Sequence, residues 1–498
     1  MKRSRNFRSE SRLDEKPFLI VTSITFFRMR HLLRKSAAVI PRQKLPFFSF
    51  RFLSSTSIKR HETESTAPPD EHYDVVVSGG GMVGFAAACV LGHSKRLSDR
   101  RILLLEGGPK KPWSLPKEYS NRVCALSGHT QRLFEKHGIW EHIKSMRAQP
   151  VRRMQVWESC SEAMITFDEK NHDEVVAHIV ENDVILQAIK NQVPNHVEVQ
   201  FDSKVDGYGL PQDSSSHVTI SLAGGKTIST DLLIGADGAK SLVRQTMGSQ
   251  YLGWEYDQMG IVATLELSEP SDNSVAWQRF LPTGPVALLP LSDDRSSLVW
   301  STTKDSAKTL LNLPEEEFTD ALNRAIWDNS STDQTVQAVH EKWTNLLDVI
   351  IPSQGADVRQ LPPSVSAVVP GSRGAFPLGL GHAVHYVAPR VVLIGDAAHR
   401  VHPLAGQGVN LGFGDVAALL ETLEKAVLLG ADIGDVRELY KYESERQKHN
   451  MATMASIDGL YRLYSTTATP IVLLRSLGLS AVNTLSPLKR YIMKHAES

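Results

Sequence analysis

Val77-Ser-Gly-Gly-Gly-Met-Val-Gly84 is the stretch on which the reading of this chain turns. It follows a β-branched run, Tyr73–Ser78, and leads into a helix of small residues, Phe85–Leu91. A second apolar run, Ile102–Leu105, ends in Glu106, 22 residues beyond Gly84. Strand, glycine turn, helix and strand in that order open a dinucleotide-binding fold. Gly79 permits the tight turn, Gly81 lets the backbone approach a pyrophosphate, and Gly84 lets helix and sheet pack closely. The segment Gly80-Gly81-Met82-Val83 then presents free N–H groups and the positive end of a helix to the phosphates. Glu106 is placed to accept hydrogen bonds from a ribose whose hydroxyls are free.

Two further glycine phrases follow. Leu233-Ile-Gly-Ala-Asp-Gly-Ala-Lys-Ser241 begins on a strand, Asp231–Ile234, and reaches Asp237, which can cap the next helix or accept hydrogen bonds near a pyrophosphate. Ile394-Gly-Asp-Ala-Ala-His-Arg-Val-His-Pro-Leu-Ala-Gly-Gln-Gly-Val-Asn410 puts Asp396 at a strand end, where its carboxylate suits ribityl hydroxyls. Pro403 sets a turn, and Gly406, Gln407, Gly408, Val409 and Asn410 open a helix expected to run through Leu419. Such a helix start stabilises negative charge, which on a reduced flavin collects at the N1/C2 edge. One phrase alone would be weak evidence; three in this order point to bound FAD and a flavin-dependent oxidoreductase. His399 and His402 lie inside the third phrase, and packing or hydrogen bonding is the role expected of them.

Composition excludes other classes. Residues 1–60 hold 15 Lys and Arg against three acids, leaving 40 basic and 52 acidic residues in the remainder. So acidic a body gives no support to nucleic-acid binding. From Lys16 to Arg60 there is no acid, and arginines punctuate Leu, Phe and Ser, the composition of a mitochondrial transit peptide. Arg51-Phe-Leu-Ser-Ser55 suits processing near Ser54, and Met29 is an alternative start. Cys89, Cys124 and Cys160 form no CxxC pair, so free thiols and no metal centre are expected.

The expected fold is α/β: a Rossmann-like FAD-binding domain interleaved with an antiparallel β-sheet substrate domain. Residues 1–60 form the transit peptide and 61–72 a linker. The FAD-binding domain takes 73–150, 183–250 and 386–465, and the substrate domain 151–182 and 251–385. Strands are expected at Val197–Phe201, Val218–Leu222, Gly260–Leu267, Val275–Leu281, Val286–Leu291, Ser297–Thr302 and Arg390–Ile394, with helices at Glu315–Trp327 and Thr335–Leu346. The segment 466–498 is dense in apolar residues, among them Ile471, Leu474 and Val482, beside Arg475, Lys489, Arg490 and Lys494. It is expected to meet a membrane surface or a partner, the other reading being that it packs on the protein's own core.

With these phrases in place, the chain resembles the class A flavoprotein monooxygenases, the para-hydroxybenzoate hydroxylase superfamily, and within it the ubiquinone-biosynthesis hydroxylases. The resemblance rests on Asn121-Arg-Val-Cys-Ala-Leu-Ser127, on His399 through Gly412, and on Tyr442-Glu-x-x-Arg446 with His449-Asn450. It covers roughly Tyr73 to Tyr464. It implies that Arg122 joins the FAD contacts, where a surface salt bridge is the alternative reading. It also implies that reduced FAD and dioxygen give a C4a-hydroperoxide that hydroxylates an electron-rich phenol carrying a polyprenyl tail. No residue is assigned a catalytic acid–base role. The implied partners are a ferredoxin-type or NADPH electron donor, other ubiquinone-biosynthesis proteins and the matrix face of the inner membrane. Two readings compete: a related hydroxylase of another lipidic ring or polyene, and a prenyl-binding GTPase chaperone keeping a vestigial nucleotide fold.

Overall fold

The computed structural model describes residues 69–168, 175–211, 216–328, 336–343, 360–403, 406 and 408–485. The transit-peptide reading, Gln407, residues 61–68 of the linker and the basic end of the C-terminal segment lie outside these residues, and the last two linker residues, Glu71 and His72, already belong to a strand.

A sheet of eight strands grows outward from Glu71–Ser78. That strand pairs in parallel with Thr227–Gly235 on one side and Ile102–Leu105 on the other, with Val76 opposite both Leu233 and Leu103. Val391–Leu393 and Glu198–Gln200 extend the parallel run in the two directions. Parallel strands covered on both faces need continuous apolar side chains, which Val75–Val77, Leu103–Leu105 and Leu232–Ile234 supply, all fully buried. The helix Met82–Gly92 is apolar nearly all round, so it sits inside the molecule rather than on its surface. It packs between the helices Asn182–Gln192 and Gly408–Leu428. The strand expected at Arg390–Ile394 is Val391–Leu393; Arg390 precedes it in the left-handed region, φ 61.

The second sheet has nine strands. Tyr251–Leu267, Val275–Leu281, Gly284–Ser292 and Arg295–Thr303 are the four expected in succession; all pairings among them are antiparallel, and Tyr251–Leu267 pairs with Arg295–Thr303 rather than with Val275–Leu281. The first begins nine residues earlier than its alternation suggests. Its early part is held by pairing with Gly374–Ala383, across an irregularity between Glu255 and Met259 where Asp257 takes φ 55. A break of this kind erases the period-2 signal that marks a strand. Arg153–Glu158 joins in parallel to Val275–Leu281, and Met164–Asp168 closes that edge. Glu315–Trp327 is helical as expected, and of Thr335–Leu346 residues 336–343 are helical.

A small third sheet sets Val123–Ser127 and Gln149–Val151 against Ala177–Glu181. Two helices, Val436–Tyr464 and Thr469–Thr484, end the described chain.

Candidate functional site

The three glycine phrases meet. Strands Glu71–Ser78, Thr227–Gly235 and Val391–Leu393 are neighbours, so the turn after each emerges at the same sheet edge, where α/β folds bind ligands. Gly81, Met82 and Val83 of the first phrase, Ala236 and Gly238 of the second and Asp396 of the third line one cavity of about 1230 Å³. Pro403, Gly406, Gly408, Val409 and Asn410 continue that wall, and Arg122 stands in it too.

The glycines divide by role. Gly79 has φ +112, and a Cβ there would collide with the Ala236 carbonyl; one on Gly84 would collide with the Gly79 carbonyl. A Cβ on Gly80 would strike the Glu106 carboxylate. Those three are required by the chain's own packing. Gly81 differs: a Cβ would meet no protein atom within 4 Å. It is the N-cap of the first helix and carries no side-chain cap, so the first N–H groups are left facing the cavity. The space beside Gly81 is therefore kept for something other than protein.

The acids sort in the same way. Glu106 accepts from the Gly80 N–H at 2.8 Å and the Gly108 N–H at 2.6 Å, closing the glycine turn around its carboxylate. Asp237 caps the helix Leu242–Thr246 with one oxygen, taking the Leu242 N–H at 2.7 Å and the Val243 N–H at 3.2 Å. Its other oxygen, Oδ1, is buried without a partner. Asp396 faces the cavity with no hydrogen-bond partner among the described residues, and burial raises its pKa against the opposing pull of His399 and Arg400. Asp396 lines the cavity, whereas Asp237 lies behind Ala236 and Gly238, which do; the two unpartnered acceptors await donors such as the hydroxyls of a loaded cofactor. Arg122 makes no ion pair among the described residues, which leaves its guanidinium free for a phosphate.

Beneath the third phrase, His399, Arg446 and Asn450 of the resemblance motifs meet on Asp415, a residue that the sequence did not single out. Asp415, fully buried, accepts at Oδ2 from the Gly395 N–H (2.9 Å) and His399 Nε2 (2.6 Å). At Oδ1 it accepts from Arg446 Nε (2.8 Å) and Asn450 Nδ2 (3.3 Å). These partners outweigh burial and hold its carboxyl well below the usual carboxylate range. Asp415 thus fixes the backbone just before Asp396. Its signal was present, an acid seven residues into an otherwise apolar helix start, but only the fold shows what it holds. Asn410 is similarly occupied: it accepts from Thr130 Oγ1 at 2.8 Å and donates to the Ala125 carbonyl at 2.8 Å. Its side chain ties the cavity loop to the strand Val123–Ser127, while its N–H belongs to the exposed start of the helix Gly408–Leu428. His402 is buried between Tyr256 and Tyr461, with its pKa pushed down to about 4 by burial. Both histidines of the phrase have the packing and hydrogen-bonding roles expected of them.

The sequence led to no expected metal centre. Among the described residues His72, His217 and Asp231 bring ligand atoms within 4.8 Å of one another at the surface, and that site is empty. Arg390 Nη1 lies 3.8 Å from the same Asp231 oxygen, so a cation there would face repulsion.

With this geometry in view, the comparisons are direct. Residues 72–346 and 370–456 match the family model described as FAD binding domain. The chain is 52% identical over 441 residues to the human "Ubiquinone biosynthesis monooxygenase COQ6, mitochondrial", covering 87% of this chain and 94% of that one. The chain belongs to this family. It is 49% identical over 451 residues to the Danio rerio protein of the same name, covering 89% and 93%. Among solved structures, p-nitrophenol 4-monooxygenase PnpA of Pseudomonas putida superposes with TM-score 0.62 at 17% identity, over 86% of this chain and 99% of that one. PqsL of Pseudomonas aeruginosa gives 0.60 at 20%, over 82% and 99%. These two speak for the fold. The protein is an FAD-dependent monooxygenase of ubiquinone biosynthesis, which uses dioxygen and an organic substrate. The chaperone reading is thereby set aside. The relatives are named mitochondrial, and no helix among the described residues is long and apolar enough to cross a membrane.

Proposed function

We propose that this protein hydroxylates the aromatic ring of a polyprenylated hydroxybenzoate, with FAD held by the residues that converge on the cavity. One observation carries the reading: the cavity does not end at the glycine loops. It continues across the second sheet, over Met154, Val156, Ile165, Phe167, Phe280 and Leu289. At about 1230 Å³ it exceeds the roughly 300–1,000 Å³ of ordinary small-molecule sites. A flavin alone does not need the second, apolar half; a lipidic ring substrate does.

In this reading Arg122 and the helix starts at Gly81 and Gly408 hold phosphate and developing negative charge, and Asp237 and Asp396 take hydroxyls. FAD supplies the redox chemistry and the activation of dioxygen. The apolar sheet face excludes water and fixes the ring, with Gln278 and Ser301 the polar side chains on that face able to orient a phenol hydroxyl. Among the described residues of this part of the cavity the buried charged side chain is Arg475, paired with Glu158, in keeping with chemistry borne by the cofactor.

The division into an FAD-binding part (73–150, 183–250, 386–465) and a substrate part (151–182, 251–385) is supported by the first sheet, whose strands all fall in the former. We further propose a ferredoxin-type electron donor, with NADPH the alternative, and a peripheral place on the matrix side of the inner membrane beside other ubiquinone-biosynthesis proteins. The mature N-terminus is expected near Ser54, to be read by mass spectrometry of the organelle protein.

The deciding experiment supplies isotopically labelled dioxygen to FAD-loaded protein whose flavin has been chemically reduced, with a prenylated hydroxybenzoate, and locates the label; the two flavin electrons carry the second oxygen atom to water. One labelled atom on the ring supports the proposal. Label on a different lipidic ring or on a polyene, with none on the phenol, supports the related-hydroxylase reading instead.

A further inference from the structure

Six residues of the cavity wall are exposed: Gly81, Arg122 and Asp396 beside the glycine loops, and three more that mark a second, separate opening. Leu460, on the helix Val436–Tyr464, is 41% exposed; Leu474, on the helix Thr469–Thr484, is 63% exposed; Gly478 is exposed one turn beyond it. This second opening lies between the last two helices. On the second helix Leu474, Arg475, Gly478, Leu479 and Val482 all line the cavity. Positions 474, 478 and 482 share one helical face, and that face borders the cavity. A Cβ on Gly478 would touch nothing within 4 Å.

The opening is built, not a loose seam. Arg475 Nε donates to Glu158 Oε2 at 2.6 Å, both side chains almost wholly buried. Arg475 Nη1 donates to the Leu463 and Thr466 carbonyls at 2.8 Å each, fixing the bend between the two helices. Ser476 Oγ donates to Glu158 Oε1 at 2.5 Å, and the Asn483 side chain accepts from the Thr166 N–H at 3.1 Å. The helix is therefore welded to the strands Arg153–Glu158 and Met164–Asp168 of the second sheet. Among the described residues, the one charged group that this helix turns to the cavity, Arg475, is neutralised by Glu158, which suits an apolar guest.

We propose that this opening is the passage for the isoprenoid tail of the substrate, and that the missing side chain at Gly478 sets its width. The inference rests on the ring-hydroxylase reading above for the guest's identity. Tail length is then selected at the helix pair, while the ring is held on the sheet face.

The test uses full-length, FAD-loaded protein: wild type, Gly478→Ala and Gly478→Trp. Both substitutions replace a mid-helix glycine, which favours the helix, and flavin content reports that the fold is kept. Turnover is compared for a long-tailed prenyl hydroxybenzoate and for the same ring with a single isoprene unit. Binding of radiolabelled geranylgeraniol is followed by equilibrium dialysis, independently of turnover. Gly478→Trp is expected to lower the long-to-short ratio of kcat/KM by about tenfold or more, which is about 1.4 kcal/mol, and to weaken geranylgeraniol binding. Gly478→Ala should lie between it and wild type. An unchanged ratio with unchanged isoprenol binding overturns the proposal, as does an equal fall for both substrates, which would mean that this helix shapes the ring site. If wild type binds the isoprenol in a Gly478-dependent way but hydroxylates neither phenol, the passage stands and the ring-hydroxylase reading fails.

Discussion

Two buried charged clusters hold the working parts of this protein, and they are built differently. Under the flavin loop, Asp415 receives four donors, one of them the Gly395 backbone. At the other end of the cavity, Glu158 and Arg475, 317 residues apart in sequence, pin the last helix to the second sheet. The first cluster shapes a loop that must present N–H groups and a carboxylate at fixed positions. The second joins the last helix to a sheet it also meets through the Asn483–Thr166 hydrogen bond and through an apolar patch of Val156, Ile165, Phe280, Tyr464, Leu479 and Val482. A buried pair adds little net stability over an apolar replacement but costs much when half of it is removed. The comparison therefore predicts failures of different kind at the two ends.

The largest effect is expected at Asp415. Asp415→Ala leaves Arg446 buried without its carboxylate and frees the Gly395 N–H, costing about 3–5 kcal/mol, and it removes flavin together with stability. Thermal unfolding and flavin absorbance check both; a stable, yellow variant would break the assignment. Arg475→Met strands Glu158 and should cost a similar or somewhat smaller amount, about 3 kcal/mol, yet leave flavin bound. The double variant Glu158→Leu with Arg475→Met should recover most of that loss, since the pair is then replaced by apolar volume. Loss of flavin from Arg475→Met would show that the two ends are not separable.

Smaller effects sharpen the cavity itself. Gly81→Val meets no protein atom, so the unloaded fold should keep its melting temperature while the protein is isolated colourless. Asp396→Ala should weaken flavin binding by about 1.5–3 kcal/mol, the value of a charge-assisted hydrogen bond, again with little change in the flavin-free melting temperature. The smallest effect concerns pH. Burial pushes His382 and His402 down to about 4 from an ordinary 6.5. The unfolded chain takes up these protons first, so the stability that the neutral rings contribute is complete above pH 6.5 and is lost as pH falls toward 4. His402→Gln should flatten that slope in acid unfolding curves; an unaltered slope would place the sensitivity elsewhere.

Much of this could be read from residues alone. Gly79 and Gly84 behave as the dinucleotide turn demands, because their constraint is local: a tight turn and a helix pressed on its strand. Others could not. Asn410 stands in the glycine loop but spends its side chain on Thr130 and Ala125, contacts some 280 residues distant. The early half of Tyr251–Leu267 carries no alternation, because an irregularity and its partner strand, rather than its own pattern, hold it in the sheet.

The sequence by itself determined that three strands would each end in a glycine turn, that the cofactor is FAD, and that the chain belongs among the monooxygenases of its family. Those conclusions depend on short-range features: backbone torsions, helix starts, and residues within a turn of one another. The tertiary structure alone decided that Asp415 props the third turn, that Glu158 meets Arg475, and that Leu460, Leu474 and Gly478 surround an opening. Each of these is a meeting of segments far apart along the chain. No local pattern encodes it, because a side chain's partner across the fold is set by how whole elements pack.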